Sequence, residues 1–283
     1  MRAMITGISG TLGQAVSKIL LDHGHEIIGF SKDEKRQAEI KPHPRLTLVL
    51  GCIRDQRRVL ETSRGCDMIF HFAAMKRVEM AEANPEESID TNLEGTRNVL
   101  GAQRQNRIPR VVLSSTDKAC KPINVYGYCK ALSEKLVLRN QNNVVVRYGN
   151  VLASNGSAIV DFIRKIQKGE QVNITDKNMT RFFMTIDEAA NFVVRSALET
   201  DGGLKIYRDM KACYMTEIVD VLCEMIGKNV PMNVSGIRPG EKYHEDLYHE
   251  QEAGEALNSL NAKHFSRDEL KALLAPAVER HAV

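Results

Sequence analysis

Three observations predict an α/β protein with a doubly wound parallel sheet and a smaller C-terminal lobe. Short apolar runs alternate with amphipathic helical patterns through the first 150 residues, as they do in repeated βαβ units. Several runs, such as 46–50 and 143–147, are continuously apolar, which is typical of strands covered on both faces. After residue 150 the alternation gives way to longer helical patterns, which indicates a second lobe.

We expect the first lobe, residues 1–150, to hold six strands joined by helical connections. The strands are predicted at 1–6, 25–30, 46–50, 67–72, 110–115 and 143–147, and the helices at 11–22, 85–106 and 127–140. The second lobe, residues 151–283, is predicted to contain helices at 157–168, 187–199 and 215–226, a strand at 171–175 and a charged helical tail from 250. Some of these later segments are expected to return to the main sheet.

Composition excludes several classes of protein. The chain has 283 residues, 43% of them hydrophobic and 27% charged, which suits a folded core and excludes a disordered chain. A net charge of +3 is too balanced for a nucleic-acid-binding protein. No apolar run approaches the roughly 18 residues of a membrane helix. The first residues reach Gly7 before a secretory signal could form, so a cytoplasmic protein is expected.

Cysteine and histidine spacing predicts no metal site. The six cysteines form no C-x-x-C pair and have no histidine at zinc-ligand spacing, so they are interpreted as reduced thiols. The eight histidines form no metal-binding motif either. His71, at the end of a predicted strand, is interpreted as a structural residue.

The segment between the first strand and the first helix has the spacing G-x-x-G-x-x-G. Glycine permits a tight turn and the close approach of a pyrophosphate, and the helix N-terminus that follows offers free N–H groups. This context favours a Rossmann-type dinucleotide site over an ordinary glycine-rich loop. The residues expected to contact the cofactor here are Gly7, Ser9, Gly10, Thr11, Leu12 and Gly13.

The tip of the second strand bears on the choice of cofactor. An acid at this position binds the ribose 2′-hydroxyl of NAD. Here Ser31 and Lys32 precede Asp33, and Arg36 follows. A hydroxyl and cations suit a 2′-phosphate, so NADP is favoured as the cofactor, and Asp33 keeps NAD as the alternative.

A catalytic pattern follows the fifth strand. Tyr126 and Lys130 are four residues apart, which places both on one face of the predicted helix. A lysine ammonium beside a phenol lowers the pKa of the phenol. The tyrosine could then accept a proton from a sugar hydroxyl while a nicotinamide accepts hydride. Thr116 supplies a further hydroxyl, and the adjacent acid and base Asp117 and Lys118 favour elimination chemistry over a surface ion pair.

Five segments carry a resemblance that spans nearly the whole chain. They are HFAAMKRVEMAEANPEESIDTNLEGT (71–96), SSTDKACKPINVYGYCK (114–130), RYGNVLASNGSAI (147–159), ITDKNMTRFF (174–183) and GIRPGEKYHEDL (236–247). In them the chain resembles the extended short-chain dehydrogenases/reductases that act on nucleotide sugars. Within that group it is most similar to the inverting UDP-N-acetylglucosamine 4,6-dehydratases of polysaccharide and capsule biosynthesis. Members usually run longer, so a trimmed C-terminal lobe is expected.

The resemblance implies an intramolecular redox cycle. Tyr126, helped by Thr116 and Lys130, would oxidise C4 of the sugar by hydride transfer to NADP. Lys118 would then remove the C5 proton while Asp117 protonates the departing C6 hydroxyl, and hydride would return to C6 to give a 4-keto-6-deoxy sugar. Tyr126 stands where non-inverting relatives can hold methionine, which favours inversion at C5.

The resemblance also implies binding residues and assembly. The cofactor would contact Ala73, Ala74, Lys76, Asn92, Tyr126 and Lys130, and the nucleotide sugar would contact Lys76, Asn150, Arg181, Arg238 and Glu241. Relatives form oligomers, so a homo-oligomer is expected. The family usually has G-D-[VI]-R-D after the third strand, where the acid meets the adenine. This chain has Cys52 in place of that acid, followed by Ile53, so altered adenine contacts are expected.

Two alternative functions stay open. A UDP-sugar C4- or C5-epimerase would use the same ketone intermediate on the same fold. A catalytically silent dinucleotide-binding regulator would need the glycine turn, but it would have no need of Thr116, Tyr126 and Lys130.

Overall fold

The computed structural model describes residues 1–152 and 158–281. The chain divides into two compact units. The first unit comprises Met1–Arg147 and Asp187–Tyr207, and the second comprises Tyr148–Ile186 and Arg208–Val283. No helix of the described residues combines the length and apolar composition that crossing a membrane requires.

The elements are numbered along the chain. The strands are β1 (Arg2–Thr6), β2 (Glu26–Ser31), β3 (Leu46–Leu50), β4 (Met68–His71), β5 (Arg110–Ser114), β6 (Val144–Arg147), β7 (Asn150–Val151), β8 (Val172–Ile174), β9 (Thr180–Met184), β10 (Gly203–Ile206), β11 (Lys211–Tyr214), β12 (Met232–Val234), β13 (Asp246–Tyr248) and β14 (Leu257–Asn258). The α-helices are α1 (Thr11–Asp22), α2 (Glu34–Ala38), α3 (Gln56–Thr62), α4 (Val78–Ala83), α5 (Pro85–Ser88), α6 (Gly95–Gln105), α7 (Val125–Val137), α8 (Ala158–Lys168), α9 (Ile186–Glu199), α10 (Met215–Ile226), α11 (Glu250–Ala253) and α12 (Arg267–Arg280). A π-helical turn covers Ile89–Glu94, and a 3₁₀ turn covers Asp117–Ala119.

The first unit is built on a seven-stranded sheet in the order β10-β6-β5-β4-β1-β2-β3, and all neighbouring strands run parallel. This confirms the predicted α/β fold with a doubly wound sheet. Met4 pairs with Ile69, and Ile69 pairs with Val111, so the three strands present fully buried side chains at one level. Burying an aliphatic side chain of this size stabilises the fold by about 1.5–3 kcal/mol.

The strand order reverses between β1 and β4. The chain passes from β1 to β2 and β3 on one side of the sheet, and β4, β5 and β6 follow on the other side. Open parallel sheets bind ligands at the carboxyl ends of the strands beside such a reversal. Thr6, His71 and Ser114 end β1, β4 and β5 at this edge.

The helix predicted at 85–106 is interrupted in the structure. α5 ends at Ser88, the π-helical turn follows, and α6 begins at Gly95. A π-helical turn holds an extra residue, and such turns are frequent at functional sites. Asn92 lies in this turn and is 2% exposed.

The second unit contains a three-stranded sheet in the order β11-β9-β7 and two-stranded sheets β12-β8 and β13-β14. Its core is supplied mainly by α8, α10 and α12, with Ile163, Leu222 and Leu274 fully buried. The strand predicted at 171–175 is β8. α8 begins at Ala158, and residue 157 of the predicted helix lies outside the described residues, as do residues 153–156 of the segment quoted above.

Candidate active site

The glycine turn between β1 and α1 is as tight as its spacing predicts. Gly7 has φ +74°, and its N–H donates to the carbonyl of Phe30 at 2.7 Å. A Cβ on Gly13 would lie 2.4 Å from the carbonyl oxygen of Gly7, so only glycine fits there. The N-cap of α1 is Gly10, and no side chain of the described residues caps this helix. The turn therefore fits a dinucleotide pyrophosphate at the start of α1.

The other predicted residues of this turn lie on either side of Gly10. Ser9 is buried, and its carbonyl accepts from the side chain of Gln14 at 3.3 Å. Thr11 and Leu12 open α1 and are half-buried. All of these residues lie at the carboxyl end of β1, as the sequence predicts.

The end of β2 presents two cations. The Ser31 hydroxyl is buried and accepts from Gln37 Nε2 at 2.9 Å. Lys32 and Arg36 are exposed. Asp33 caps α2 by accepting from the Arg36 N–H at 3.0 Å, and its carboxylate also lies 3.5 Å from the Arg36 guanidinium. The carboxylate of Asp33 is therefore engaged within the loop.

Cys52 and Ile53 follow β3. Burial raises the pKa of the Cys52 thiol, but the hydrogen bond from Arg54 and the charges of Arg54 and Lys32 outweigh it, so the pKa is lowered. Arg54 Nε donates to the sulfur at 3.5 Å. Ile53 is buried against Gly95, where an added Cβ would lie 3.0 Å from the Ile53 side chain.

The segment after β4, residues 73–76, is held by hydrogen bonds from the side chain of Asn92. The Asn92 side chain accepts from the N–H of Met75 at 2.7 Å and donates to the carbonyl of Met75 at 2.9 Å. Asn92 therefore positions the backbone of residues 73–76. Ala73 donates its N–H to the Thr6 hydroxyl at 3.2 Å, Ala74 is half-buried, and Lys76 is exposed.

His71 lies buried beneath this segment. Its ring nitrogens lie 2.8 Å from the Thr6 hydroxyl and 3.1 Å from the Thr96 hydroxyl. Burial, and then the charge of Lys130, lower the pKa of His71 to about 3. His71 is therefore neutral and links β1, β4 and α6, in agreement with its structural interpretation.

The acid–base pair of the predicted catalytic residues lies on the 3₁₀ turn after β5. Asp117 Oδ1 accepts from the Thr116 hydroxyl at 2.8 Å and from Lys118 Nζ at 3.0 Å. Asp117 is fully buried, and within the described part of the chain its Oδ2 atom has no hydrogen-bond partner. A buried carboxylate oxygen without a partner is costly, so this oxygen is expected to meet a donor from a ligand.

Tyr126 and Lys130 lie on α7, which packs closely on that turn. The side chain of Asn124 caps the helix by accepting from the Gly127 N–H at 2.7 Å. A Cβ on Gly127 would lie 2.4 Å from the Lys118 carbonyl oxygen. The structure thus brings Thr116, Asp117, Lys118, Tyr126 and Lys130 together in the first unit.

One expectation about the tyrosine is corrected. Lys130 was expected to lower the pKa of Tyr126, but its ammonium donates to the Ser114 carbonyl at 2.9 Å. Burial, and then the negative charge of Asp117, raise the pKa of Tyr126, while a hydrogen bond with Thr116 lowers it. Burial lowers the pKa of Lys130 to about 8 against the opposing charges of Glu134 and Cys129. The phenol of Tyr126 is therefore in its protonated form, and Thr116 is its hydrogen-bond partner.

The predicted substrate residues all lie in the second unit, except Lys76. Asn150 donates to the Phe182 carbonyl at 3.1 Å. Arg238 and Glu241 form a bidentate pair with each other, with N–O distances of 3.2 and 2.9 Å.

Arg181 makes its hydrogen bonds with backbone carbonyls of the second unit. Its guanidinium is 9% exposed, and it donates to the carbonyls of Thr180, Tyr243 and Lys242 at 2.8, 3.1 and 2.9 Å. These contacts make Arg181 an anchor for the loop that precedes β13.

The described part of the chain offers no candidate metal site. Within residues 1–152 and 158–281, no group of three or more His, Cys, Asp or Glu side chains could hold a metal ion. The described cysteines are free thiols, five of them buried.

Comparison with known proteins decides the family. The profile of a family described as "Polysaccharide biosynthesis protein" matches residues 3–265. The chain belongs to this family. A UDP-glucose 4-epimerase of Rickettsia canadensis (strain McKiel) is 36% identical over 269 residues, which cover 89% of this chain and 79% of the relative. An inverting UDP-N-acetylglucosamine 4,6-dehydratase of Campylobacter jejuni is 35% identical over 256 residues, which cover 86% of this chain and 75% of the relative.

A solved structure has the same fold over nearly the whole chain. The X-ray structure of Pen from Bacillus thuringiensis has a TM-score of 0.92 at 27% identity, with 97% of both chains covered. The resemblance described in the sequence is confirmed: the chain is an extended short-chain dehydrogenase/reductase of the nucleotide-sugar enzymes. The names of its relatives include both a dehydratase and an epimerase.

Sequence reasoning missed several residues that support the site of this family member. Ser115, Glu134 and Arg147 form a buried cluster behind the catalytic turn, and Gln37 engages Ser31. The spacing of Glu134, four residues after Lys130 on one helix face, could have revealed the first of these. Gln37 carries no comparable signal.

Proposed function

We propose that this protein is an NADP-dependent UDP-N-acetylglucosamine 4,6-dehydratase that inverts C5. The observation that carries the proposal is the pair of a fully buried Asp117 and a half-buried Lys118 beside Thr116 and Tyr126, in which one carboxylate oxygen of Asp117 has no hydrogen-bond partner among the described residues. Oxidation and reduction at C4 need only a hydroxyl-bearing acid–base group. An additional acid and base, held together in a buried site, suit the removal of a proton and a hydroxyl from adjacent carbons.

The first step would be oxidation of the sugar at C4. When bound at the glycine turn, NADP⁺ supplies the hydride acceptor for C4 and later returns the hydride to C6. Tyr126 first gives up its own proton to solvent, and its phenolate then takes the proton of the C4 hydroxyl while Thr116 orients the phenolic oxygen. Lys130 donates to the Ser114 carbonyl and so holds the face of α7 that carries Tyr126 against the end of β5. The products of this step are a C4 ketone and a protonated base.

The second step would be loss of water across C5 and C6. The ketone acidifies the C5 proton, which Lys118 removes, while Asp117 protonates the departing C6 hydroxyl. Lys118 must then be a neutral amine and Asp117 a neutral acid, and the 3.0 Å hydrogen bond between them allows that proton transfer. Reprotonation of C5 from the opposite face gives the inverted 4-keto-6-deoxy sugar.

The preference for NADP is proposed on the charges at the tip of β2. Lys32 and Arg36 are exposed and positive, whereas the carboxylate of Asp33 is engaged with Arg36. A 2′-phosphate needs cations at this place, and a 2′-hydroxyl needs a free acid. Asn150, Arg238 and Glu241 are proposed as the residues that bind the nucleotide of the substrate.

The second candidate function is a UDP-sugar epimerase. It is favoured by the 36% identity to a protein named UDP-glucose 4-epimerase, and Thr116, Tyr126 and Lys130 alone could oxidise and reduce C4. A silent binding protein is disfavoured, because it has no use for a buried acid–base pair.

The deciding experiment is proton NMR of the protein with UDP-N-acetylglucosamine and NADP⁺ in D₂O. A dehydratase produces a C6 methyl signal with deuterium at C5, and the coupling constants report inversion. An unchanged methyl region with a shifted C4 proton means epimerase. No change in any signal, with this substrate or other UDP-sugars, overturns both assignments. Lys118→Met is expected to oxidise C4 and to form no methyl group.

A further inference from the structure

The first unit contains a buried polar cluster that the proposed chemistry does not use. The Ser115 hydroxyl donates to Glu134 Oε1 at 2.5 Å. Arg147 donates to both oxygens of Glu134, from Nε at 3.0 Å and from Nη2 at 2.6 Å. All three residues are at most 4% exposed. We call these residues the Glu134 cluster.

Glu134, the central residue of the cluster, lies on the same face of α7 as Tyr126 and Lys130. Tyr126, Lys130 and Glu134 are spaced four residues apart on α7, so their side chains leave one face of the helix. Lys130 donates to the Ser114 carbonyl, and Glu134 accepts from the Ser115 hydroxyl. Two contacts, one helical turn apart, thus hold α7 against two consecutive residues that directly precede Thr116. They fix both the axial position and the rotation of the helix.

A role in stability alone does not account for this cluster. Burying an ion pair removes two charges from water, and replacing such a pair with apolar residues of similar volume is often neutral or stabilising. The neighbouring strand supplies apolar surroundings, since the three valines of β6 are buried. What an apolar replacement lacks is the directional contact to the Ser115 hydroxyl.

We propose that Glu134 is a positioning residue, which holds Ser115 with the support of Arg147 and thereby sets the Tyr126 phenol against Thr116 and the turn that carries Asp117 and Lys118. This inference rests on the proposed function in taking Tyr126 as the reacting group. Reacting groups must be placed within about 1 Å, because a misplacement of that size can cost about 100-fold in rate.

The charge of Glu134 has a second effect on the same face. It raises the pKa of Lys130 against the larger lowering caused by burial. The other ionisable groups that face Lys130 are Cys129 on α7 and His71 on β4. Asp117 on the 3₁₀ turn acts on Tyr126, and Arg147 on β6 pairs with Glu134. Glu134 is therefore the one carboxylate named here that favours the charged form of Lys130.

Two variants separate positioning from stability. Ser115→Ala removes one hydroxyl and leaves the ion pair intact, and kcat is expected to fall about 10- to 100-fold with KM nearly unchanged. Glu134→Leu combined with Arg147→Met replaces the pair by apolar residues, so the unfolding midpoint in urea is expected to stay or rise. The same double variant is expected to lose kcat to a similar extent.

The matched control is Gln103→Leu. Gln103 is also buried and makes two hydrogen bonds with Asn143, which lies at the opposite, amino-terminal side of β6. This variant is expected to lower the unfolding midpoint and to leave kcat and KM at wild-type values. Wild-type kcat in both Ser115→Ala and the double variant would overturn the positioning role.

A readout without turnover keeps this inference separate from the proposed function. Carbon-13 NMR of ε-labelled lysine, with Lys130 assigned by Lys130→Arg, reports the titration of that ammonium directly. The midpoint is expected near pH 8 in the wild type and lower in the double variant. Absence of any turnover by the wild type would contradict the proposed function. An unchanged Lys130 midpoint together with an unchanged kcat in the double variant would contradict the positioning role of Glu134.

Discussion

At the scale of single residues, the site depends on how burial and neighbouring charges distribute protons. Tyr126 is held in its protonated form by burial and by the charge of Asp117, although its proposed task is to accept a proton. Asp117 is also the proposed acid of the later step. The charged carboxylate of Asp117 therefore disfavours the Tyr126 phenolate that C4 oxidation needs. For the loss of water, Asp117 must first be neutralised by a proton from Lys118.

The first prediction removes that charge by Asp117→Asn. Loss of water is expected to fall by about 100- to 10,000-fold, the usual contribution of a general acid. After burial, Asp117 is the main cause of the raised pKa of Tyr126, so this variant is expected to lower that pKa. Tyr126 accepts a proton only when it is deprotonated, and this form is populated above its pKa. The low-pH side of the pH–rate profile for C4 oxidation should therefore move to lower pH. Absorbance of the reduced cofactor in single turnovers measures it, and an unmoved low-pH side would contradict the assigned charge effect.

The second prediction concerns His71 and stability. Its pKa is about 3 in the folded protein against 6.5 for an ordinary histidine, so the unfolded chain binds more protons between these values. The free energy of unfolding should therefore be unaffected by His71 above pH 6.5 and should fall as pH drops towards 3, by roughly 4 kcal/mol in all.

Urea unfolding at several pH values measures this dependence. His71→Gln is expected to show a shallower loss of stability with falling pH than the wild type. His43→Gln, in the loop before β3, is the control and should keep the wild-type slope. Equal slopes for His71→Gln and the wild type would mean that His71 is not held neutral by the fold.

At the scale of elements, the sequence predicted the sheet better than its connections. Continuous apolar runs identified β1 to β6 within one or two residues, because strands covered on both faces have few alternatives. The run at 203–206 was missed, since GLKI is short and only half-buried in β10. The interruption of the helix at 85–106 was also missed, because the periodicity of the apolar positions continues across the extra residue.

The third prediction tests the π-helical turn through Asn92→Ala. This change removes both hydrogen bonds to Met75 and leaves buried backbone groups without partners, which costs about 1–3 kcal/mol. The segment 73–76 should lose its fixed backbone, so NADP⁺ affinity measured by calorimetry is expected to fall by about tenfold or more. Ser88→Ala removes a 3.2 Å contact to Asn92 and a hydrogen bond with Cys129 but keeps both bonds of Asn92 to Met75, so it should bind NADP⁺ normally. Unchanged NADP⁺ affinity in Asn92→Ala would show that the hydrogen bonds of Asn92 to Met75 do not contribute to cofactor binding.

The fourth prediction uses two helical glycines. Alanine favours helix over glycine by about 1 kcal/mol. Gly101→Ala in α6, where the nearest atom is 4.0 Å from the added Cβ, is expected to raise the melting temperature and leave kcat unchanged. Gly127→Ala pushes a methyl group against the Lys118 carbonyl, so it should lower kcat by at least tenfold despite its better helix propensity. Equal kcat in the two variants would argue against close packing of α7 on the catalytic turn.

At the scale of the whole molecule, the sequence could predict which of the proposed catalytic residues lie together but not all of their partners. Thr116, Asp117, Lys118, Tyr126 and Lys130 stand in one motif, and the structure brings them together. The partner of Lys130 is a backbone carbonyl, and the guanidinium of Arg181 donates to three others. Backbone carbonyls have no sequence signature, so an arginine that anchors a loop looks the same as one that binds phosphate.

The fifth prediction concerns the cofactor choice of the intact protein. A ligand that binds only the folded state at 100 times its Kd stabilises it by about 2.7 kcal/mol. At equal concentration, NADP⁺ is expected to raise the melting temperature more than NAD⁺. The pair Lys32→Ala and Arg36→Ala should abolish that difference without affecting NAD⁺. Arg57→Ala, an exposed residue paired with Glu61, is the control. A larger shift with NAD⁺ in the wild type would reverse the assignment.

The return of the chain to the first unit also has a consequence during synthesis. β10 pairs with β6, but residues 148–186 of the second unit leave the ribosome between these strands. Until β10 emerges, β6 is an unprotected edge of hydrophobic residues, and such edges recruit other strands. A nascent chain stalled before residue 203 should therefore depend on chaperones, and a pause in translation after β10 should be tolerated far better than one before it.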